Sequence, residues 1–323
     1  MKIGIFGTGA YGMALSSMID KNCEITMWTK FEEEKSLLEK TRKNEKLLPN
    51  FSLDKRIKLT TSVKELIEDK DLLIIAIPAA FIESLAIDMK PYIKDNNILI
   101  ASKGIEQESG LFLNEIIKKH LDTKNIGAIS GPTFAVDLIS EYPCGLSLAV
   151  ESKHMEELII DVFKNDTIKL RINNDVLGTE MCGAVKNVMA IAAGILGGLG
   201  ANESTKAMFI TEALYDIRKI LNIIGADDRT ILTYAGIGDL LLTCTSTKSR
   251  NYTFGKLLGE NNTKEKADEY LKNTTVEGVY TLKSIYKSFN DKNISLPTIN
   301  IIYDIVFNGK DSKELLSFLI DKE

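Results

Sequence analysis

The sequence has few of the residues that build metal centres and disulfide frameworks. Its 323 residues include 4 cysteines and 2 histidines. Cys23, Cys144, Cys182 and Cys244 lie far apart and form no CxxC pair, so the spacing typical of metal ligands is absent. This pattern indicates reduced thiols in a cytoplasmic protein, and we expect no metal cofactor.

Long hydrophobic runs and an excess of positive charge are also absent. The longest apolar stretch, residues 188–200, is shorter than the roughly 18 residues that a membrane span needs, and it predicts a buried helix. The apolar run after Met1 and Lys2 is too short for the core of a signal peptide, so no export is expected. A formal charge of -5 argues against nucleic-acid binding but leaves room for a small anionic ligand.

The first half of the chain alternates short apolar runs with amphipathic segments. Hydrophobic residues make up 44% of the chain and charged residues 26%, as in ordinary globular proteins long enough for two domains. Strands are predicted at residues 2–6, 24–28, 71–77, 97–101, 126–130 and 146–150. Several are continuously apolar, which is typical of strands buried on both faces of a mainly parallel sheet.

The alternation ends near Asn173, and the apolar residues then recur at helical spacing. We therefore expect an α/β Rossmann-type N-terminal domain followed by an all-α C-terminal domain. The predicted division assigns residues 1–180 to dinucleotide binding and residues 181–323 to substrate binding.

A glycine-rich loop directly follows the first predicted strand. Gly7-Thr8-Gly9-Ala10-Tyr11-Gly12 has the GxGxxG spacing and precedes an apolar helical segment. In such a βαβ unit, Gly7 permits a tight turn, Gly9 lets the backbone approach a pyrophosphate, and Gly12 lets the helix pack on the strand. The helix N-terminus then faces the anion, so the loop predicts dinucleotide binding. A glycine turn without a ligand is the alternative.

The residues after the second predicted strand bear on the choice of cofactor. The acidic residue that bonds the ribose hydroxyls is not evident, because Trp28 is followed by Thr29 and Lys30. Lys30 is suited to a 2′-phosphate, so the sequence slightly favours NADP(H) over NAD(H). Three glutamates at positions 32–34 weaken that inference, and a solvated surface lysine is the alternative.

Hydride transfer from an alcohol requires a group that accepts the hydroxyl proton. His120 and His154 lie in charged segments typical of exposed helices, so a lysine is the natural substitute. Lys186 leads into an apolar helix, where an unpaired charge would be costly. Lys103 follows a strand, at the sheet edge where open α/β sheets bind ligands. For Lys103, a snorkelling or salt-bridged lysine is an ordinary alternative.

Further polar segments are suited to an anionic or hydroxylated substrate. Residues 130–135 follow a strand, and residues 249–251 combine an arginine with two short polar side chains before a predicted helix. Singly, each segment is more often a turn or a cap. Asp239 and Thr243 share one helix face and would bind substrate hydroxyls or orient the lysine, although Asp239 also fits an N-cap after Gly238.

Together these segments resemble the NAD(P)-dependent glycerol-3-phosphate dehydrogenase family. The matching motifs, in family order, are GTGAYG (7–12), SKG (102–104), SGPTFA (130–135), GAVKN (183–187), GIGD (236–239), TC (243–244), SRN (249–251) and VEG (276–278). Generic Rossmann proteins share only the first, so the joint signal is specific. The resemblance implies interconversion of sn-glycerol 3-phosphate and dihydroxyacetone phosphate with NAD(P)(H), in a cytoplasmic enzyme that supplies glycerophospholipid synthesis.

The resemblance also implies residue roles, with Lys186 as the catalytic proton acceptor. The implied substrate contacts are Lys103, Gly131, Thr133, Lys186, Asp239, Ser249, Arg250 and Asn251. The implied or motif-derived cofactor contacts are Gly7, Gly9, Ala10, Tyr11, Gly12, Lys30, Lys103, Ala135, Arg250 and Glu277. A homodimer is implied as well, and Gly194, Gly197 and Gly198 are compatible with a dimer surface or with close internal helix packing.

One segment departs from the family pattern. Many relatives carry Ile-Thr-Arg-Gly after the glycine-rich helix, whereas this chain has Ile210-Thr211-Glu212-Ala213. Replacing arginine by Glu212 reverses a charge near the predicted domain boundary. The change bears on substrate affinity, on helix packing there and on the preferred cofactor.

Two other functions fit part of the pattern. A lysine-using 3-hydroxyacid or ketopantoate-type dehydrogenase would share the two-domain plan, because the fold alone does not fix function. Residues 249–251 with Gly131 and Thr133 favour a phosphorylated substrate instead. A catalytically silent dinucleotide sensor is the third possibility, but it gives no reason for Lys186 and Asp239 to occur together.

Overall fold

The computed structural model describes residues 1–107, 109–140, 142–260 and 264–321. Its backbone divides into two compact units. The first consists of Met1–Lys103 and Leu113–Val176, and the second of Gly104–Phe112 and Leu177–Glu323. The functional roles predicted for residues 1–180 and 181–323 stay predictions.

A mainly parallel sheet forms the centre of the first unit. Its strands are β1 (Lys2–Phe6), β2 (Glu24–Trp28), β3 (Lys58–Thr60), β4 (Leu72–Ile75), β5 (Asn97–Ile100), β6 (Ile126–Ser130), β7 (Cys144–Val150) and β8 (Ile168–Asn173). They lie in the order β3-β2-β1-β4-β5-β6-β7-β8. Neighbouring strands are parallel except for β6 and β7, which pair antiparallel. The predicted α/β fold with a mainly parallel sheet is therefore confirmed.

Helices connect these strands and cover the sheet. They are α1 (Ala10–Met18), α2 (Glu32–Thr41), α3 (Val63–Ile67), α4 (Ile82–Met89), α5 (Leu113–His120), α6 (Ala135–Leu138) and α7 (Lys153–Val162). In α7, Ser152 caps the N-terminus by accepting a hydrogen bond from the Met155 amide, and Met155, Ile159 and Val162 form the buried face. Because β4 is buried along its whole length, its all-apolar sequence fits a strand covered on both faces.

The second unit is helical, as predicted. Its helices are α8 (Val176–Gly198), α9 (Glu203–Ile224), α10 (Asp239–Thr245), α11 (Arg250–Gly259), α12 (Lys264–Asn273), α13 (Glu277–Asn290), α14 (Pro297–Phe307) and α15 (Glu314–Asp321). Helix α8, whose first residue belongs to the first unit, is long and apolar enough to cross a membrane, but it is mostly buried. It is the central core helix of this unit.

Glycines bring the backbones of α8 and α11 into contact. A β-carbon built on Gly194 would lie 2.1 Å from the carbonyl oxygen of Tyr252, and one on Gly255 would lie 1.9 Å from that of Ile191. Gly198 and Gly259 approach the opposite helix equally closely. Gly194, Gly197 and Gly198 therefore serve internal packing, the second of the two alternatives left open by the sequence.

The segment that departs from the family pattern lies within α9. Ala213 is fully buried in the helical core, and Glu212 beside it is half-buried. Helix α9 runs without interruption through both residues. The replacement of arginine and glycine is therefore accommodated without a break in the helix.

Candidate functional site

The glycine-rich loop joins β1 to α1 in a conformation that depends on its glycines. Gly7 has φ 118°, which disfavours any side chain. A β-carbon on Gly12 would lie 2.4 Å from the carbonyl oxygen of Gly7, so this glycine permits helix α1 to pack against the loop. At Gly9, by contrast, a β-carbon would meet no atom within 4 Å.

These features fit a bound pyrophosphate. Because internal packing does not require glycine at position 9, the open space there is available to a ligand. Gly9 is also the N-cap of α1 and supplies no side-chain cap, so the first amides of the helix remain for an anion. The loop residues can therefore hold a dinucleotide as the sequence predicts.

A threonine and a glutamate meet at the carboxyl end of β2, beside this loop. The Thr29 hydroxyl donates a hydrogen bond to Glu34 Oε2 at 2.5 Å and accepts one from the Phe31 amide. Thr29 is buried, whereas Lys30 is exposed. The sequence analysis named Thr29 where an acid was expected and noted the glutamates nearby, but it did not predict the bond between Thr29 and Glu34.

Lys103 lies beside the loop that follows β6. Its Nζ donates to the carbonyl oxygen of Gly131 at 3.3 Å and lies 5.9 Å from the centre of the Tyr11 ring. The Tyr11 hydroxyl is 3.3 Å from the Thr133 hydroxyl. Four predicted site residues thus form one cluster at the carboxyl ends of β5 and β6. Among the described residues, no hydrogen bond joins Lys30 or Ala135 to it.

A buried ion pair forms the core of the candidate site in the helical unit. Lys186, on α8, is 7% exposed, and Asp239, the first residue of α10, is 1% exposed. Lys186 Nζ lies 2.9 Å from Asp239 Oδ1 and 2.8 Å from the Thr243 hydroxyl. The predicted burial of Lys186 is confirmed. Asp239 bonds to the lysine and is not the N-cap of α10, which is Gly238.

Cys244 lies beside this ion pair and is shielded from solvent. Burial raises the pKa of its thiol to about 12; the charge of Lys186 opposes this shift and that of Asp239 adds to it. The thiol is therefore protonated at neutral pH and is inert as a nucleophile.

The N-terminus of α11 carries the predicted anion-binding residues. The Ser249 hydroxyl caps the helix by accepting a hydrogen bond from the Tyr252 amide at 3.2 Å. Arg250 is exposed on the first turn. Asn251 is buried, donates to Asn187 Oδ1 at 2.9 Å and accepts from the Gly278 amide at 2.8 Å. Glu277, next to Gly278, is half-buried. The link through Asn187 was not predicted.

The two histidines lie outside these clusters. His154 is exposed on α7, as predicted. His120 is half-buried, so the prediction that it is exposed was wrong: its Nε2 lies 2.8 Å from Glu83 Oε1, on α4. Within the described residues, no group of three or more His, Cys, Asp or Glu side chains is arranged to hold a metal ion.

Known proteins resemble this chain over its full length. It is 33% identical over 327 residues to a glycerol-3-phosphate dehydrogenase (NAD(P)+) of Staphylococcus haemolyticus, a match that covers 100% of this chain and 98% of the relative. A Fusobacterium nucleatum protein of the same name is 32% identical, with 100% and 97% covered. The crystal structure of glycerol-3-phosphate dehydrogenase from Coxiella burnetii superposes with a TM-score of 0.92 at 27% identity, covering 99% of each chain.

Two family models match successive parts of the chain. The model for the N-terminus of NAD-dependent glycerol-3-phosphate dehydrogenase matches residues 2–156, and the model for the C-terminus matches residues 175–317. Together the two matches cover most of the chain. The chain belongs to the NAD-dependent glycerol-3-phosphate dehydrogenase family.

Proposed function

We propose that this protein interconverts sn-glycerol 3-phosphate and dihydroxyacetone phosphate by hydride transfer with NAD(P)(H), and that Lys186 is the proton acceptor. The observation that carries the proposal is the buried Lys186 ammonium, bonded to Asp239 and Thr243. Burying such a pair costs desolvation energy that apolar residues would avoid, so packing alone gives no reason for it. Family membership supports the substrate and cofactor classes.

The proposed chemistry needs one proton transfer at the substrate C2 oxygen. When bound, the nicotinamide accepts the hydride from C2 or returns it. For the oxidation, the Lys186 ammonium first releases a proton to water. The neutral Nζ then takes the C2 hydroxyl proton as the hydride leaves, so the ketone and the ammonium form together. In the reduction, the ammonium returns that proton to the oxygen. Asp239 and Thr243 hold Nζ by the hydrogen bonds described above.

Substrate binding is proposed for residues of each unit. Lys103, Gly131 and Thr133 would contact the substrate, and the Lys103 charge would hold the anion and polarise its oxygen. In the helical unit, Asp239, Ser249, Arg250 and Asn251 would contact it too. A guanidinium presents several donors in a planar fork that matches phosphate oxygens, so Arg250 is the proposed phosphate ligand.

Cofactor binding is proposed for the glycine-rich loop and a set of further residues. The proposed contacts are Gly7, Gly9, Ala10, Tyr11, Gly12, Lys30, Lys103, Ala135, Arg250 and Glu277. A slight preference for NADP(H) is supported by Lys30, which is exposed and forms no ion pair with any described residue. The Thr29–Glu34 pair opposes that preference, because its carboxylate would repel a 2′-phosphate.

The proposal includes a cytoplasmic homodimer that supplies glycerol 3-phosphate for glycerophospholipid synthesis. Exposed apolar side chains on α9, namely Met208, Tyr215 and Ile223, support a subunit interface. Light scattering after size-exclusion chromatography would give the number of chains per particle. A monomer at micromolar concentration would contradict this part of the proposal.

The decisive experiment follows the loss of NADPH or NADH absorbance with dihydroxyacetone phosphate. We expect rapid oxidation by the native protein and a rate lower by about 10²–10⁴-fold in Lys186→Ala. Lys266→Ala, which removes an exposed lysine from α12, is the matched control and should retain the native rate. If the folded protein binds the cofactors but oxidises neither, the substrate assignment fails and a hydroxyacid dehydrogenase or a sensor becomes the better hypothesis.

A further inference from the structure

Three helices of the second unit meet at a buried pair of asparagines. Asn251, on α11, donates from Nδ2 to Asn187 Oδ1, on α8, at 2.9 Å. Its own Oδ1 accepts the Gly278 amide hydrogen of α13 at 2.8 Å. Asn187 and Asn251 are 3% and 8% exposed, so both hydrogen bonds lie away from bulk water. We call these three residues the amide junction.

The junction supplies a helix cap that the local sequence lacks. Val276 precedes α13 and has no side chain able to accept a hydrogen bond, so the first amides of this helix need a partner from elsewhere. Asn251 provides one for Gly278. The N-terminus of α13 is therefore fixed by a residue of α11 rather than by its own cap.

Gly278 also sets how closely α13 approaches α8. A β-carbon at this position would lie 2.5 Å from the carbonyl oxygen of Asn187 and 2.7 Å from Asn251 Oδ1. Both distances are far below van der Waals contact, so any larger residue would separate the helices. Gly278 and the two asparagines therefore together determine the position of the N-terminus of α13 relative to α8.

Each member of the junction adjoins a residue with a proposed function. Asn187 follows Lys186, Asn251 follows Arg250, and Gly278 follows Glu277. The C-terminal part of helix α8, which begins four residues after Asn187, is held by the backbone contact with α11, so Asn187 can position the other two helices. A small shift of a helix N-terminus moves the adjacent side chain by a similar amount, and catalytic geometry tolerates little displacement.

We propose that Asn251 is a positioning residue that fixes Arg250 and Glu277 relative to Lys186 through Asn187 and the Gly278 amide. The inference rests on the proposed function and adds an indirect role to the substrate contact proposed for Asn251. An amide group has two N–H donors. One is used on Asn187, which leaves the other for a phosphate oxygen.

The test is a double-mutant cycle on Asn187→Ala, Asn251→Ala and the combined variant. We measure kcat and KM for dihydroxyacetone phosphate well below the melting temperature of each protein. Both single variants should lower kcat/KM by about tenfold or more, chiefly through KM, because the phosphate-binding Arg250 shifts. The kcat/KM of the combined variant should lie within about twofold of that of the less active single variant, because both substitutions break the same hydrogen bond between Asn251 and Asn187.

Two further variants separate positioning from simple structural support. Asn187→Asp keeps the oxygen that accepts from Asn251, so the Gly278 amide of this variant should exchange at the native rate. Asn273→Ala removes an exposed amide from α12 and should change neither KM nor kcat. If Asn187→Ala does not fold, Asn187→Ser replaces it, since its side chain is too short to reach Asn251.

Hydrogen exchange gives a readout that does not depend on turnover. The Gly278 amide should exchange faster in both variants, because Asn251→Ala removes its acceptor and Asn187→Ala removes the bond that holds that acceptor in place. If the native protein shows no turnover but the two variants show this exchange pattern, the proposed function is refuted while the structural link through the amide junction is supported. A KM that rises in Asn251→Ala but not in Asn187→Ala, or melting temperatures that fall while kcat/KM stays native, would overturn the positioning role.

Discussion

Lys186 Nζ and Asp239 Oδ1 lie 2.9 Å apart in the helical unit, where neither side chain has substantial contact with solvent. The two residues are separated by 53 positions in the sequence and belong to different helices. The Thr243 hydroxyl bonds to Lys186 Nζ and to the carbonyl oxygen of Asp239, so one more residue of α10 fixes the pair. Inside the protein, the two opposite charges stabilise each other.

Removing one partner of this pair should be more harmful than removing both. We expect Asp239→Leu to lower the free energy of unfolding by about 3–5 kcal/mol, because it removes the carboxylate bonded to a buried ammonium. Lys186→Met combined with Asp239→Leu should recover most of that loss. Urea unfolding of the three proteins measures the difference.

The exposed pair Lys153–Glu157 provides the control, because its side chains are 84% and 65% exposed. Glu157→Gln should change the free energy of unfolding by less than about 1 kcal/mol. Equal losses in Asp239→Leu and in the double variant would mean that lost packing, rather than the unpaired charge, determines stability here.

The buried thiol of Cys244 should make the protein less stable in alkali. Burial raises the pKa of this thiol to about 12. In the unfolded chain a cysteine thiol has a pKa of about 8.5. Between these values the folded protein keeps a proton that the unfolded chain releases, so stability falls as pH rises. From pH 8 to pH 10, the native protein should lose about 1–2 kcal/mol more than Cys244→Ala. Parallel pH profiles for the two proteins would exclude the thiol as the cause.

The sequence predicted β1, β2 and β6 with their observed ends, because each is a short apolar run beside clear turn or loop residues. It missed β3, which has three residues, and β8, whose residues are all partly or fully exposed. Such strands bury little apolar surface, so the hydrophobic pattern that reveals a strand is weak. The antiparallel direction of β7 was also not predicted, since it depends on the path of the chain after β6.

The sequence predicted which residues belong to the candidate site, but it did not predict which of them contact one another. The apolar surroundings of Lys186 in the sequence indicated its burial, since a helix of small and apolar residues packs in a core. Its pairing with Asp239 and the link from Asn251 to Asn187 join distant positions, and they depend on how α8, α10 and α11 pack. A single sequence carries no local signal for such contacts.

Cofactor preference should respond to two charges at the end of β2. Glu34→Gln removes the carboxylate that accepts from Thr29, so the affinity for NADPH relative to NADH should rise by about two- to fivefold. Lys30→Ala should change the ratio in the opposite direction. Fluorescence titration with each reduced cofactor measures both. Glu33→Gln, at an exposed neighbouring position, is the control, and an effect equal to that of Glu34→Gln would point to general surface charge.

Alanine substitutions at Gly9 and Gly12 should separate cofactor binding from folding. A β-carbon at Gly12 would lie 2.4 Å from the Gly7 carbonyl oxygen, so Gly12→Ala should cost about 1–3 kcal/mol of stability through overpacking. At Gly9 the added carbon meets nothing within 4 Å, so Gly9→Ala should melt at the native temperature. Its methyl group would occupy the space proposed for the pyrophosphate, and NADH should bind about tenfold more weakly or worse. Native NADH affinity in Gly9→Ala would show that the pyrophosphate does not lie against this loop.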